Sequence, residues 1–440
     1  MATTKATTLA HTIASTTSST ADLDYAKTLN DTGVTSTEFD KLDGLTATTT
    51  ELNKLSGATA TTDELNLVDG SVTGPLSHRN LMINGAMLVD QRNNGAQKIN
   101  IGYTDDDYRT LDRWRNIWTG SGSSRNSLQQ VSITDLAGFS KALKIGCVTA
   151  EGSTQAAGES FRMAYRFEGQ DLQGLEKGFS SAKPVTVSFW VKGTAGKTFV
   201  LELHQAKSTA RHATQQFSVT SNWVKHYYTF PGDTTNTIDC NNLEGLELNL
   251  WFMAGSNYTS GSYTALTWAN VTTANRAVGI SNSGKGIVNS TSDEVYFTGF
   301  QMEIGSQATP FEHRSFGDEI LRCQRYFCKS GPYATAPAQT SDTKTVTTSI
   351  DMAGDLMRTP YIYFPINMRT DPAVTLLKEG ALQYGGNGTW AWYEQGSWQT
   401  TSFAPSGITE IGYAAHSGDA GSSDGRAYYM HINWKAEAEL

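Results

Sequence analysis

Apolar side chains return at every second position through the middle of the chain. Val185, Val187, Phe189 and Val191 share one face, with Thr186, Ser188 and Trp190 on the other. Phe199, Leu201 and Leu203 repeat the theme. Leu246, Leu248, Leu250 and Phe252 alternate with Glu247, Asn249, Trp251 and Met253, and Tyr296, Thr298, Phe300, Met302 and Ile304 close the set. A period of two marks strands with one buried face. Several such runs between Gly, Asn and Ser turns predict a two-sheet sandwich over residues 76–314, with a jelly roll as its topology.

After Arg314 the period changes. Phe316, Ile320, Cys323 and Phe327 fall at i, i+4, i+7 and i+11, one apolar stripe of a helix. Ser315 can cap it, Asp318 and Glu319 suit its first turn, and Lys329 with Gly331 marks its end, which predicts a linking helix over 315–330. Such a stripe suits a three-helix contact on an axis, or packing onto its own sandwich. Beyond Ser330-Gly331-Pro332, the runs Tyr361–Ile366 and Ala427–Trp434 read as strands of a small C-terminal β-sandwich, residues 331–440. Gly385–Gly388 and Ser417–Gly425 read as its exposed loops.

The N-terminal part follows a third pattern, with a period of 13 residues. Thr35–Gly44, Thr48–Gly57 and Thr61–Gly70 each open on Thr-x-x-Glu or its near equivalent and close on Gly. Thr-x-x-Glu is a capping box, and a terminal Gly readily takes the left-handed conformation that ends a helix. Each unit therefore encodes a short helix with one apolar pair: Phe39/Leu42, Leu52/Leu55 or Leu65/Val68. Helices this short are marginal alone, so the repeat, residues 22–75, predicts a stalk that shares its apolar residues with other copies of the chain. Residues 1–21 are Thr, Ser and Ala with little to bury, a segment that orders only when docked to something.

Composition narrows the function. Among 440 residues, 18% are charged and 10% aromatic, with a net charge of −9. From Asp22 to Gly70 ten carboxylates face Lys27, Lys41 and Lys54. No basic stretch can follow a phosphate backbone, which argues against nucleic acid as a partner. Cys147, Cys240, Cys323 and Cys328 show no metal-ligand spacing and read as small buried thiols. Neither a secretory leader nor a membrane span stands out, so the expectation is folding in a reducing cytosol or export that needs no signal.

Catalytic motifs are absent from the sequence: no H-E-x-x-H, P-loop or G-x-S-x-G occurs in a fitting context, and no cofactor or metal is expected. Glu151, Glu159 and Glu168 offer carboxylates of the kind glycosidases pair, but any β protein of this length has several. Binding is the better expectation. Trp390, Trp392, Tyr393 and Trp398, with Phe403, crowd into the Gly-rich stretch from Gly385 to Ser406. Flat rings stack on the C–H faces of sugars, and Asn387, Glu394 and Gln395 can hydrogen-bond hydroxyls. The same rings could instead fill the core of a small domain. Trp251, Tyr258, Tyr263 and Trp268 form a second candidate set.

Several of these motifs together resemble a known family. The Thr-x-x-Glu-Leu-Asn repeats, Asn80–Met87 with Asp90-Gln91-Arg92, Asp112-Arg113-Trp114, and Phe300–Gly305 with Ala308–Ser315 are similar to bacteriophage tail fibres, especially those of cyanophages and other marine phages. The resemblance covers most of Thr35 to Phe327 and is most specific from Gln301 to Arg325. It implies a homotrimeric fibre in the virion, attached to a tail or baseplate protein through its N-terminus, with its far end facing the host. It also implies a sandwich like a carbohydrate-binding jelly roll. The expected function is host attachment by non-enzymatic binding of a surface glycan such as lipopolysaccharide. A purely structural fibre and a glycan-degrading tailspike are the alternatives, and no binding residue carries over from the family.

Overall fold

The computed structural model describes residues 46–54 and 78–440, with Asp24, Lys27 and Asp31, apart from 103–105, 153–154, 207–208, 338–345, 354–355, 378–388, 395–396 and 420–427. For 54, 346–353, 356, 389–394, 397–401, 418–419 and 428–432 it describes the backbone alone. The chain divides into two units, Met1–Asn66 and Leu67–Leu440.

In the first unit the middle repeat forms the helix Thr49–Lys54. Its capping box is made in both directions. The Thr48 N–H donates to Glu51 Oε2 at 2.7 Å, and the Glu51 N–H donates to Thr48 Oγ1 at 3.3 Å. A cap of this kind contributes about 1 kcal/mol, too little to hold six residues helical alone. The repeats Thr35–Gly44 and Thr61–Gly70, and residues 1–21, lie outside the described residues.

The second unit begins with twelve strands: β1 (Lys98–Ile101), β2 (Arg115–Thr119), β3 (Arg125–Ser132), β4 (Lys141–Thr149), β5 (Ser160–Glu168), β6 (Val185–Gly193), β7 (Thr198–Gln205), β8 (Arg211–Ser218), β9 (Val224–Phe230), β10 (Glu244–Ala254), β11 (Ala269–Asn270) and β12 (Glu294–Ile304). They form two six-stranded antiparallel sheets, ordered β1-β3-β4-β12-β6-β9 and β11-β8-β7-β10-β5-β2. The chain changes sheet at β1→β2, β2→β3, β4→β5, β5→β6, β6→β7, β8→β9, β9→β10 and β11→β12, the alternation of a jelly-roll sandwich.

The core lies between the sheets. Val185, Val187, Phe189 and Val191 meet Phe199, Leu201, Leu203, Leu246, Leu248, Leu250 and Phe252 across it, as their alternation predicts. Each side chain buried on this scale contributes about 1.5–3 kcal/mol. Two strands break phase. On β12 the core residues are Val295 and Phe297 before an irregularity between Thr298 and Gln301, then Phe300 and Met302 after it. Gly299 sits there at φ +66°, so Tyr296 and Thr298, expected inside, face outward. On β10 a shift between Trp251 and Met253 turns Met253 into the core.

The motifs Asn80–Met87, Asp112–Trp114 and Gln301–Ser315 prove to be one interlocked structure. Asn80 Oδ1 accepts from the N–H groups of Met82 (3.0 Å) and Met302 (3.1 Å), and its Nδ2 donates to Phe300 O at 3.0 Å. Asn84 Nδ2 donates to Val89 O at 2.8 Å and Asp112 O at 3.0 Å. Glu312 accepts the Asn80 N–H at 2.8 Å, and Arg314 donates to Met82 O at 2.8 Å. Gly85 is obligatory here, since a Cβ would meet Phe300 O at 2.1 Å. These residues hold the start of the sandwich against its last strand.

The linking helix is shorter than predicted: Phe316–Gln324, with Ser315 Oγ accepting from the Asp318 N–H. It stops because Phe327–Lys329 is recruited as strand β13, paired with the C-terminal strand through Phe327↔Glu437. Cys323 is buried against its own chain, whereas Phe316 and Leu321 are each 45% exposed. Cys147 and Cys328 are buried too, but Cys240 is exposed, in a connection flanked by Asp239, Asn241 and Asn242.

The remaining strands are β14 (Val346–Ala353), β15 (Leu356–Arg358), β16 (Ile362–Tyr363), β17 (Ala373–Leu377), β18 (Thr389–Glu394), β19 (Ser397–Thr409), β20 (Gly412–Asp419) and β21 (Tyr428–Glu437). The expected small sandwich is here a single nine-stranded sheet, ordered β13-β21-β14-β15-β20-β19-β18 with β16 on β20 and β17 on β21 off that path, and the path closes through β18–β21 pairing. The long strands β19 and β21 each pair with different neighbours along their length, which lets the sheet curl round. Its core gathers Met357, Phe364, Met368, Tyr413 and Trp434. The predicted loop Gly385–Gly388, and residues 420–427 of the loop Ser417–Gly425, lie outside the described residues.

Candidate binding site

The outer face of the second sheet is polar by alternation, and its register arranges the polar residues in rows. Arg166, Glu247, His204 and His212 lie side by side across β5, β10, β7 and β8. The next row is Ala164, Asn249, Glu202 and Thr214, and a third is Arg162, Trp251, Val200 and Gln216. Glu202, Asn249 and Trp251 are nevertheless 0% exposed. The segment between Gly255 and Asn282 folds over them, with Tyr258 packed on Trp251 at 5.3 Å between ring centroids.

Glu202 is the centre of this buried network. It accepts from Arg276 Nε (2.7 Å) and Nη2 (2.8 Å), from Trp251 Nε1 (2.8 Å) and from Asn249 Nδ2 (3.2 Å). His212 Nδ1 lies 3.1 Å away. Burial by itself would raise the Glu202 pKa, but Arg276 and His212 outweigh it and hold the carboxyl well below the usual range. The Arg162 and Arg276 guanidinium groups lie 4.9 and 5.0 Å from the Trp251 ring centroid. A desolvated charge needs such a full set of partners. The cluster is a rigid floor rather than an open surface.

Beside this floor is a cavity of about 260 Å³, lined by His212, Thr214, Ser262, Tyr263, Thr264, Thr267, Ala269 and Asn275. Asn275 Oδ1 accepts the Ser262 N–H at 3.0 Å, which fixes the mouth. Burial raises the Tyr263 pKa. One half-buried ring among hydroxyl, amide and imidazole groups suits a neutral, hydroxyl-rich ligand. The volume lies below the ~300–1,000 Å³ of drug-sized pockets, room for one sugar ring or a chain end.

The candidates from sequence separate at this point. Tyr263 lines the cavity. Trp251 is sealed beneath Tyr258, and Trp268 donates Nε1–H to Pro231 O at 2.9 Å with Lys177 over its ring. Trp390, Trp392 and Tyr393 lie on β18 and Trp398 on β19, with Tyr393 opposite Trp398, but their side chains lie outside the described residues. Of the three carboxylates, Glu168 is engaged by Arg325 at 2.8 and 2.9 Å and by the Tyr326 hydroxyl at 2.5 Å. Glu159 is raised by burial, with Glu151 adding to the shift. Sequence reasoning did not single out Glu202, His212, Asn275 or Arg276; for Glu202 and His212 the polar positions alternating on β7 and β8 were the available signal. Among the described residues, no group of three His, Cys, Asp or Glu side chains is placed to hold a metal ion. No described helix is long and apolar enough to cross a membrane.

No family model matches the chain, and no curated protein matches it. Among solved structures it is similar to a module described as CBM4, at 12% identity and a TM-score of 0.24, covering 50% of this chain and 97% of that one. It is similar to the family 11 carbohydrate-binding module of cellulase Lic26A-Cel5E of Clostridium thermocellum, at 14% identity and TM-score 0.25, covering 49% and 98%. A third is the enzymatically active domain of bacteriophage CBA120 tailspike protein 4, at 9% identity and TM-score 0.25, covering 49% of this chain and 21% of that one. Scores of this size assign no ligand to the chain.

Proposed function

We propose that this chain is a tail fibre protein that attaches a phage to its host by binding a surface glycan, such as lipopolysaccharide, without cutting it. The cavity around Tyr263, His212 and Asn275 carries the reading: a ring and convergent hydroxyl and amide groups, set on a floor that the Glu202–Arg276 pair makes rigid. In this reading three copies form the fibre, residues 1–21 dock to a tail or baseplate protein, and residues 22–75 act as a spacer. The protein is made in the host cytoplasm and works in the virion. Residues 331–440 supply a second receptor-binding surface through Trp390, Trp392, Tyr393 and Trp398.

One observation favours a glycan-cutting tailspike instead. Burial, with Glu151 adding to it, raises the Glu159 pKa, the direction that the general acid of a glycosidase needs. The test applies purified full-length chain to host and non-host cells and assays released oligosaccharide in parallel. Host-specific binding that Tyr263→Ala abolishes without shifting the melting temperature is the expected result. Absence of binding removes the receptor role, and released oligosaccharide that Glu159→Gln suppresses replaces binding with cleavage. Trp390→Ala and Trp392→Ala, scored the same way, test the second surface. Mass photometry tests the trimer, which a stable monomer excludes.

A further inference from the structure

The outer face of the first sheet is covered at one end and open at the other. At the covered end Thr186, Gln301 and Glu303 are buried, with Thr186 Oγ1 donating to Gly305 O and Gln301 Nε2 to Thr309 Oγ1. At the open end the register sets three rings on a diagonal. Lys225 pairs with Trp190, and Trp190 with Thr298; Tyr227 lies two residues beyond Lys225, and Tyr296 two residues before Thr298. Tyr227, Trp190 and Tyr296 thus step across β9, β6 and β12, each diagonal neighbour about 7–8 Å from the last. Tyr227 is 64% exposed.

Lysines run beside the rings. Lys192 lies opposite Tyr296 on one side and Lys144 on the other. Both ammonium groups lie 5.2 Å from the Tyr296 ring centroid and are paired, Lys192 with Asp135 and Lys144 with Glu294. Lys225 differs. Its Nζ reaches only Thr309 O, at 3.5 Å, and among the described residues no carboxylate pairs with it. Lys225 therefore places a cation that no described carboxylate neutralises beside the line of rings.

We propose that this diagonal is a further glycan site, which takes the backbone of an acidic polysaccharide. Its sugar rings lie against Tyr227 and Trp190, and one of its acid groups meets Lys225. Three rings at this spacing suit an extended chain rather than a chain end, and so differ from the Tyr263 cavity on the opposite face of the sandwich. The charge complementarity rests on Lys225, and the stacking on rings whose positions the sheet fixes.

Affinity electrophoresis of the full chain through gels containing alginate, a polyuronate, or dextran, a neutral polymer, tests this. Retention by alginate and not by dextran is expected. Tyr227→Ala should weaken retention on the order of ten-fold, and Lys225→Gln should weaken it at low salt but not at high salt. Both side chains are on the surface, so an unchanged melting temperature confirms that the fold survives. Tyr263→Ala should leave alginate retention intact, which keeps this site distinct from the cavity. Equal retention by dextran, no effect of Tyr227→Ala, or loss in Tyr263→Ala overturns the proposal.

Discussion

Arg113 and Glu439 meet at 2.6 Å although 326 residues separate them, and both side chains are almost sealed from solvent. Arg92 reaches the same carboxylate at 3.1 Å. The Arg113 guanidinium also lies 3.5 Å from the Tyr326 ring centroid. This cluster fastens the end of the C-terminal sheet to the sandwich. Glu439→Gln leaves two buried cations short of a partner, a loss of about 3–5 kcal/mol for a broken buried pair. Urea unfolding should show the sandwich and the C-terminal sheet melting in one transition in the parent and in two in the variant.

Asp112 sits in the same cluster and makes it pH-sensitive. Burial pushes its pKa up to about 7, against the opposing pull of Arg92 and the Gln91 N–H, while Glu439 and Asp90 add to the rise. An unfolded aspartate ionises near about 3.9. The folded value is the higher one, so the stability Asp112 contributes is complete below about pH 4 and is lost as pH rises through 7. Asp112→Asn should flatten the melting-temperature profile across that window. A variant that keeps the parent's slope removes Asp112 as its source.

Lys197 is an ammonium group in a cage of oxygens. Its Nζ donates to Asp293 Oδ2 at 2.6 Å, Gly286 O at 3.0 Å and Asn282 Oδ1 at 3.3 Å, and the pair is buried. Lys197→Met abandons the Asp293 charge, and should cost about 3–5 kcal/mol. Adding Asp293→Asn removes that charge, and the double variant should recover part of the loss. Thermal melts of the three proteins decide it, and simple additivity contradicts the account.

Gly85→Ala should be among the most damaging small substitutions in the chain. The new methyl group would lie 2.1 Å from Phe300 O, where backbone cannot yield without breaking the Phe300 N–H bond to Gly85 O. Limited proteolysis should cut the variant near Arg79 faster than the parent. Equal rates contradict that role for Gly85.

The sandwich was legible because its strands bury one face each, so alternation in Val185–Val191 or Leu246–Phe252 reports the core directly. Phase failed where the backbone slips: at Gly299 one irregularity exchanges Tyr296 and Thr298 for Val295 and Phe297, and either set reads as a strand. The helix at Phe316 was legible from its cap, but not its end, because pairing of Phe327 with β21 overrides local preference. The Glu202–Arg276 floor could not be read. Its partners are 74 residues apart, and the segment that brings Arg276 across has no period. Tyr263 was visible as an aromatic, but nothing in the sequence told it apart from Trp251, which the same fold seals away.

The bonds around Asn80 have a mechanical side. In the fibre proposed above, a pull from the N-terminal side reaches the described part of the second unit at His78. There it meets Glu312 through the Asn80 N–H, Met302 O through the Leu81 N–H, and the Phe300 N–H through Gly85 O. Arg314 adds its bond to Met82 O. Because these anchors are spaced along one short segment, a pull is shared between β12, through Phe300 and Met302, and the Glu312–Arg314 stretch that follows it. The first part of the second unit to yield under force should therefore be this clasp, with both outer faces of the sandwich still intact behind it.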